Sequence, residues 1–487
     1  MAVNVGNLPG PPGLRVVVVG GGLAGIAAAT ALHSAGAAVT LLEARRALGG
    51  RASSFEDRDG DAGGDAAGGA TAAATAGAPL LDNCQHVLLG CCTNLLDLYR
   101  RLGVADRITF TPAVRFVNES GKSFLLRATP LLPAPLHLGP SMATFGLLTL
   151  AQRAALARGM SAMVRLGPND LEALEAVSFG EWLDAHGQGA ELVRKLYDPV
   201  LVSALNEETR RVSSKYAISV FITAMLVNRG GYMMGVPNCP LEQLYGAAAT
   251  GQTRLNTRMA GLEFRDGKVV GVRLQNGAAL PADAVILATN FHNVSKQIPA
   301  ELAARDRRFH ALGGLESVPI LGVHLWFDRP VMPYAHAALV RGPLQWLFRK
   351  DAAGRQVHGV ISAARQWISV NRDDALRQFH AQIKEVLPSA RAAALQRGVI
   401  VVEKRATFSP LPGAQQFRPA QAPDENGISN LFLAGDYTQT AWPSTMEGAV
   451  RSGYLAAEAV LKGMGAGAQK FIVKDLPSEW PARLLRR

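Results

Sequence analysis

The chain has 487 residues, of which 48% are hydrophobic and 18% are charged, and its formal net charge is +11. This length provides for about two or three domains, and the composition suits a globular protein with more apolar surface than usual. No long Lys/Arg run with interleaved aromatic residues occurs, so nucleic-acid binding is not predicted, and the positive charge favours an anionic membrane surface or an acidic electron-transfer partner.

The first stretch has the order of a dinucleotide-binding unit. The apolar run at residues 16–19 predicts a buried parallel strand, which leads into a G-x-G-x-x-G turn at Gly20, Gly22 and Gly25. Gly20 permits the tight turn, Gly22 lets a pyrophosphate approach the backbone, and Gly25 lets the following helix pack closely. We expect that helix to end at Gly36.

A second strand is predicted at residues 38–42, and it ends in Glu43. A carboxylate at this point, about 20 residues after the glycines, accepts hydrogen bonds from a ribose and disfavours a 2′-phosphate. The pattern up to this residue leaves NAD and FAD as alternatives.

The continuation favours FAD. Glu43, Ala44 and Arg45, followed by Gly49, Gly50 and Arg51, resemble the E-A-R-x-x-x-G-G-R signature of the amine oxidase and phytoene desaturase flavoproteins. The resemblance implies that the Gly-Gly-Arg turn lies against the pyrophosphate and the isoalloxazine end of FAD, where a guanidinium neutralises the diphosphate. The FAD contacts expected in this stretch are Gly20, Gly22, Leu23, Ala24, Gly25, Glu43, Ala44, Arg45, Gly49, Gly50 and Arg51.

Residues 56–79 are low in complexity and predict a flexible surface loop. Residues 82–90 then resemble the D-N-G-Q-H-x-x-L-G segment of the hydroxysqualene dehydroxylases, a group within the same flavoprotein superfamily. The chain departs from that segment at Cys84, where glycine is expected, and in the insertion before Asp82. The resemblance implies that Asp82 and His86 lie near the flavin as candidate proton donors. The alternatives are a loop-capping carboxylate and a hydrogen-bonded structural histidine.

Residues 104–229 are predicted to form part of a substrate domain. A long apolar and basic helix is expected over residues 142–166, with its positive charges at Arg153, Arg158 and Arg165, and it suits either a membrane interface or the protein's own core. Residues 197–206 and 217–227 also resemble the dehydroxylases, and we expect them to form walls of an apolar pocket.

The pattern of the cofactor domain returns from residue 230. Strands at 254–264 and 268–274 are predicted to form a hairpin around Asp266 and Gly267, followed by a buried strand at 282–289. The resemblance implies that this block covers the adenine, with contacts at Met259 and Ala288. Strands at 319–327 and around Trp346 and Phe348 are expected in a mixed sheet of the substrate domain.

The last motif is a strand over residues 430–437 that ends in Gly435 and Asp436, followed by a helix that starts near Thr445 and Met446 and runs through residue 461. It resembles the closing FAD signature of the family. The resemblance implies that Asp436 contacts the ribityl or pyrophosphate side. The positive end of the helix would stabilise the anionic reduced flavin.

The resemblance implies an α/β fold, with a discontinuous Rossmann-like FAD-binding domain of the glutathione-reductase type and an α+β substrate domain that carries a mixed sheet. We assign residues 1–103, 230–295 and 421–465 to the FAD-binding domain, residues 104–229 and 296–420 to the substrate domain, and residues 466–487 to a C-terminal tail.

The leading functional hypothesis is reduction of hydroxysqualene, a lipophilic isoprenoid, to squalene. No second G-x-G-x-x-G follows a strand, so an external electron donor is expected, and no metal site is predicted. The alternatives are a carotenoid-type desaturase and an amine or protoporphyrinogen oxidase, although no lysine near flavin N5 is placed from the sequence. A prenyl-chain carrier is disfavoured by the intact flavin motifs. The N-terminus lacks a secretory pattern, so a cytoplasmic protein, peripheral on the inner face of the membrane, is expected.

Overall fold

The fold is taken from a computed structural model that describes residues 13–57, 80–246 and 251–486. Apart from its first two residues, the loop predicted at 56–79 lies outside this described part. The strands are β1 (Arg15–Val19), β2 (Ala38–Leu42), β3 (Ser54–Glu56), β4 (Leu80–Asp82), β5 (Leu88–Leu89), β6 (Ile108–Thr111), β7 (Ala113–Val117), β8 (Ser123–Arg127), β9 (Met234–Pro237), β10 (Gln252–Arg254), β11 (Met259–Arg265), β12 (Lys268–Leu274), β13 (Ala279–Pro281), β14 (Ala284–Leu287), β15 (Ser317–Phe327), β16 (His336–Leu339), β17 (Trp346–Arg349), β18 (Gln356–Ile361), β19 (Leu395–Phe408) and β20 (Leu431–Leu433).

The α-helices are α1 (Leu23–Ser34), α2 (Thr93–Arg101), α3 (Gly139–Ala143), α4 (Leu150–Val164), α5 (Pro168–Ala173), α6 (Phe179–Ala185), α7 (Ala190–Leu192), α8 (Asp198–Leu205), α9 (Ser214–Phe221), α10 (Leu241–Tyr245), α11 (Phe291–Gln297), α12 (Ala300–Ala303), α13 (Arg307–Ala311), α14 (Arg372–Val386), α15 (Met446–Gly463) and α16 (Trp480–Leu485). Within the described ranges, no helix combines the length and the apolarity needed to cross a membrane.

A five-stranded parallel sheet organises the cofactor half of the molecule. Its strand order is β10-β2-β1-β14-β20, so its strands come from three separate stretches of the chain. Helices α1 and α15 pack against each other beside it, and an added Cβ at Gly453 would lie 2.2 Å from the carbonyl oxygen of Ala24. Because α1 follows β1 and α15 follows β20 in this parallel sheet, the amino ends of both helices lie toward the same edge of the sheet.

The second large sheet has seven strands in the order β19-β15-β18-β17-β16-β7-β8. It is mixed, because β16 and β7 run parallel while the other neighbours run antiparallel. Leu321, Val323 and Leu325 of β15 point to a core shared with Phe379 and Ile383 of α14. Alternation along the strands turns Ile320, Gly322 and their neighbours to the opposite face. The predicted α/β fold with a mixed sheet is confirmed.

Two predicted elements are interrupted. The helix expected over 142–166 is divided, because α3 ends at Ala143 and α4 begins at Leu150 after a capping box between Thr149 and Gln152. The strand expected over 254–264 is also divided at a left-handed Asn256 with φ of 50°. Consequently β10 joins the parallel sheet, while β11 pairs with β12 in the predicted hairpin.

Candidate functional site

The predicted dinucleotide turn lies between β1 and α1. Gly20 has φ of 114°, and a Cβ added to Gly25 would lie 1.9 Å from the carbonyl oxygen of Gly20, so the helix can pack on the turn only with glycine there. Leu23 and Ala24 form the first turn of α1, and no side chain caps the helix at Gly22. The amides at this helix end are therefore available to an anionic pyrophosphate.

The Gly49–Gly50–Arg51 turn lies directly on this loop. Gly49 forms a parallel bridge with Gly22 and donates its amide to the carbonyl of Gly21 at 2.8 Å. A Cβ added to Gly50 would lie 3.0 Å from the Cα atom of Gly22. The two glycine turns thus form one cradle of backbone that larger residues would fill.

Glu43 lies under this cradle. One oxygen of its buried carboxylate accepts the amide of Gly21 at 2.7 Å, and the other accepts the amide of Arg45 at 2.7 Å. Each oxygen keeps a lone pair that can accept a ribose hydroxyl. Ala44 and Arg45 are exposed, and the Arg45 guanidinium donates to the carbonyl of Gly50 at 3.3 Å.

Two further predicted contacts approach the same cradle. Ala288 follows β14 and donates its amide to Val19 at 2.8 Å, and its carbonyl oxygen would lie 2.7 Å from a Cβ at Gly20. Met259 begins β11 and is buried. Two residues earlier, the amide of Thr257 donates to the main-chain carbonyl of Glu43 at 2.8 Å.

The closing motif meets Arg51 from the other end of the chain. Asp436 is buried and is ion-paired with Arg51, which also donates to the carbonyl of Ala406 at 2.5 Å. Burial acts to raise the pKa of Asp436, but Arg51 and the Ser444 hydroxyl lower it below the ordinary value. Asp436 is therefore ionised at neutral pH.

Gly435 and the start of α15 complete this edge. Gly435 has φ of 154° and donates its amide to the hydroxyl of Ser452 at 2.8 Å. Helix α15 begins at Met446, and the side chain of its N-cap, Thr445, accepts the amide of Gly448 at 3.1 Å. A second helix amino terminus therefore faces the edge that carries the glycine cradle.

This donor set fits FAD. The backbone cradle and the α1 terminus suit a diphosphate, the Glu43 carboxylate suits a ribose, and the α15 terminus suits the electron-rich end of a flavin. The predicted FAD contacts converge on one edge of the parallel sheet: they are the two glycine turns, Glu43 and the closing motif. Met259 lies close by, because Thr257, two residues before it, is hydrogen-bonded to Glu43.

Asp82 ends β4 and is held by three donors. One carboxylate oxygen accepts the Ser54 hydroxyl at 2.8 Å and the amide of Leu241 at 3.0 Å, and the other accepts the ammonium of Lys350 at 3.2 Å. The side chain of Asp82 is 5% exposed. These contacts fix the position of the segment that follows Asp82.

His86 lies four residues further and is half-buried. Its Nδ1 atom is 3.0 Å from the carbonyl oxygen of Cys84, which can only accept, so Nδ1 carries the hydrogen and Nε2 is an acceptor that no described residue occupies. Burial lowers the pKa of His86 below its ordinary value, and the imidazole is therefore neutral at pH 7. Among the described contacts, no hydrogen bond joins it to Asp82.

The segment from Asp82 to His86 lies on the mixed sheet, on the face opposite α14. A Cβ added to Gly322 would lie 2.6 Å from the carbonyl oxygen of Asn83, so glycine is required for this contact. The rings of Trp346 and Phe348 are stacked with centroids 5.9 Å apart. The side chains that we name the apolar wall are Cys84, Val87, Val236, Ile320, Trp346, Phe348 and Val360.

The helices around residues 197–206 and 217–227 pack mainly into a core of their own, which contains Tyr197, Leu201 and Phe221. They meet the apolar wall through Trp346, whose indole N–H donates to the carbonyl of Pro199 at 3.0 Å. Their assignment as pocket walls stays a prediction.

Sequence reasoning missed the polar groups beside the apolar wall, on the same face of the mixed sheet. Lys350 follows β17 and also donates to the Gln85 side chain at 3.2 Å. His324 contacts the carbonyl oxygen of Asp82 through Nε2 at 2.9 Å, and its ring lies 4.0 Å from that of His358. Burial lowers the pKa of His324 to about 4 and that of His358 well below its ordinary value, so both are neutral. Their places in the strands carry no signal that distinguishes them from core residues.

Comparison with known proteins agrees with this geometry. Residues 23–461 match the family described as Flavin containing amine oxidoreductase. The chain is 26% identical over 481 residues to the 15-cis-phytoene desaturase of Synechococcus elongatus, covering 92% of this chain and 96% of the relative. It is 26% identical over 479 residues to the chloroplastic/chromoplastic 15-cis-phytoene desaturase of Glycine max, covering 92% and 80%.

The fold is also similar to that of a solved putrescine oxidase with bound putrescine. The TM-score is 0.64 at 16% identity, and the match covers 93% of this chain and 100% of the other. Together with the family match and the glycine cradle, these likenesses confirm FAD as the cofactor and disfavour a non-catalytic carrier. The chain belongs to the flavin-containing amine oxidoreductase family and is an FAD-dependent oxidoreductase.

Proposed function

We propose that the protein removes the allylic hydroxyl group of hydroxysqualene and yields squalene. The C–O bond breaks as the oxygen takes a proton and leaves as water, and the allylic carbon takes a hydride. FAD, when bound in its reduced form, supplies that hydride. An external electron donor restores the electrons. The observation that carries the proposal is the position of the 82–90 segment, which resembles the dehydroxylases and lies on the apolar wall.

The apolar wall suits an isoprenoid substrate and its reaction. An allylic cation survives only where water is excluded, and aromatic faces stabilise positive charge. Trp346 and Phe348 present stacked rings on this face, while Ile320 and Val360 supply aliphatic surface. A hydrocarbon chain that is laid along these side chains would keep water from the reacting carbon.

We assign the proton donor to His86 and a positioning role to Asp82. The Asp82 carboxylate is already occupied by Ser54, Leu241 and Lys350, so it holds the segment in place. His86 has a free Nε2 and shares a short segment with Cys84 of the apolar wall. Because burial lowers the pKa of His86, its proton-donating form increases as the pH falls.

A carotenoid-type desaturase is the second candidate. The relatives from Synechococcus elongatus and Glycine max are named as phytoene desaturases. In a desaturation the substrate loses a hydride and a proton, and the Nε2 atom of a neutral His86 could accept that proton. The structure also places a lysine, Lys350, beside the apolar wall, which the sequence did not, and this is in favour of amine oxidation. Its ammonium is bonded to Asp82 and Gln85.

The direction of electron flow separates these candidates. The FAD-loaded protein is reduced anaerobically and mixed with hydroxysqualene, while flavin absorbance and products are followed. Flavin reoxidation coupled to formation of squalene is expected. His86→Gln should slow this reoxidation, whereas the matched variant of an exposed histidine, His33→Gln, should not. A flavin that stays reduced contradicts the proposal, and reduction of the oxidised enzyme by phytoene would establish the desaturase.

A further inference from the structure

Two segments that are distant in sequence build an exposed apolar surface. Leu131 and Leu136 lie in the loop before α3, and Trp480 and Leu484 lie on α16. These residues are 90%, 52%, 59% and 78% exposed, respectively. Trp480 and Leu484 are four residues apart and therefore share one face of the helix. We name these four residues the docking surface.

Specific hydrogen bonds hold the two segments side by side. Glu479, which precedes α16, accepts the amide of Ala134 at 2.5 Å and the guanidinium of Arg229 at 2.7 Å. Arg229 also donates to the carbonyl of Pro130 at 2.8 Å. The docking surface is therefore part of the folded protein, and its large apolar side chains are presented to the outside together.

The charge around the docking surface is positive. Arg127, Arg165 and Arg483 are exposed and form no ion pair with any described residue. Glu479, the acidic residue in the contact, is only 16% exposed and is neutralised by Arg229. Apolar side chains surrounded by free guanidinium groups are complementary to a lipid surface with anionic phosphates.

We propose that the docking surface binds an anionic membrane, with the leucines and Trp480 inserted among the acyl chains and the arginines at the phosphates. This inference names the partner surface for the lipophilic substrate of the proposed function. A second copy of the chain is a poorer occupant, because an isologous contact would bring the same arginines against each other.

The docking surface is also linked to the candidate site. Arg229 is followed in the chain by β9, which pairs with β5 in the segment after His86. The amide of Gly90 donates to the carbonyl of Met233 at 2.8 Å. Because Arg229 also joins the two segments of the docking surface, a membrane bound there would lie near the segment that carries His86, where a lipophilic substrate is needed.

Vesicle flotation of the FAD-loaded full chain tests the proposal without any substrate. Binding is expected to vesicles of phosphatidylcholine mixed with phosphatidylglycerol, and weaker binding to phosphatidylcholine alone or at high salt. The double variant Leu131→Ser/Leu484→Ser should bind at least roughly tenfold more weakly, because the transfer of each leucine side chain from water to the acyl chains stabilises the bound state. Arg127→Gln/Arg483→Gln should lose roughly thirtyfold on the anionic vesicles, at about 1 kcal/mol per arginine.

The matched control is Ile368→Ser, which removes an exposed aliphatic side chain at 44% exposure from another part of the molecule. It should bind vesicles like the parent, and all variants should keep the flavin spectrum and the thermal midpoint of the parent. Equal loss in the control and the leucine variant would overturn the proposal. So would undiminished binding by the leucine variant, absence of binding by the parent, or a dimer that the leucine changes dissociate. Because no reaction is measured, failure here is distinct from failure of the proposed dehydroxylation.

Discussion

Replacing Lys350 with methionine should reveal how strongly the mixed sheet fixes the position of the 82–90 segment. The lysine ammonium is 3.2 Å from the Asp82 carboxylate, and the two side chains are 23% and 5% exposed. Removing one partner of a buried ion pair costs about 3–5 kcal/mol, because the other charge is left buried. Ser54 and Leu241 continue to donate to Asp82, so we expect a smaller loss, about 2–3 kcal/mol in the free energy of unfolding.

The assay is urea unfolding of the FAD-loaded protein in a double-mutant cycle. Asp82→Asn in the Lys350→Met background removes the buried charge, and we expect it to recover a large part of the loss. The exposed pair of Arg210 and Asp184, at 53% and 62% exposure, supplies the control, and Arg210→Gln should cost less than about 1 kcal/mol. Additive single effects, with no recovery in the double variant, would refute the reasoning.

Three other outcomes are expected. Gly25→Ala places a Cβ 1.9 Å from the carbonyl oxygen of Gly20, so it should lower the free energy of unfolding by about 1–3 kcal/mol, and the purified protein should lose its flavin absorbance. Gly139→Ala is the control and should keep the flavin absorbance, because a Cβ at Gly139 meets no atom within 4 Å. If His86 donates the proton, flavin reoxidation by hydroxysqualene should become faster as the pH falls, and His86→Gln should remove this dependence; a profile that His86→Gln leaves unchanged contradicts the assignment. The folded-state pKa of His324 is about 4, below the ordinary 6.5, so the unfolded chain takes up the proton first as the pH falls. Stability should therefore decrease between pH 6.5 and 4 by roughly 3 kcal/mol for this group, and His324→Gln should flatten the decrease in urea titrations.

The cofactor site could be predicted from the sequence because its signals are local. Gly20, Gly22 and Gly25 must follow a strand and precede a helix at fixed spacing, and that order is visible along a short stretch. The interruptions were harder to predict. The apolar and basic composition of 142–166 suits one long helix, but the capping box at Thr149 starts a new helix there. Composition alone does not reveal that cap.

The polar contacts beside the apolar wall could not be predicted, because they depend on long-range packing. Asp82 and Lys350 are 268 residues apart, and their contact exists only when β4 and β17 are brought together. Gly322 shows the same limit: its need for glycine arises from the backbone of Asn83, which belongs to another element. A single sequence does not specify which strands become neighbours in a mixed sheet.

The three-part origin of the parallel sheet has a consequence for synthesis of the protein. Arg15 and Asp283, which flank the β1–β14 pair, are 268 residues apart, and β20 comes later still. At about 5–20 residues per second, a ribosome delivers β20 roughly 20–80 s after β1. During that interval the apolar faces of β1 and α1 have no final partner, and the site for FAD is incomplete. We expect nascent chains to need protection by a chaperone until β20 has emerged, and the flavin to be captured only after translation is almost finished.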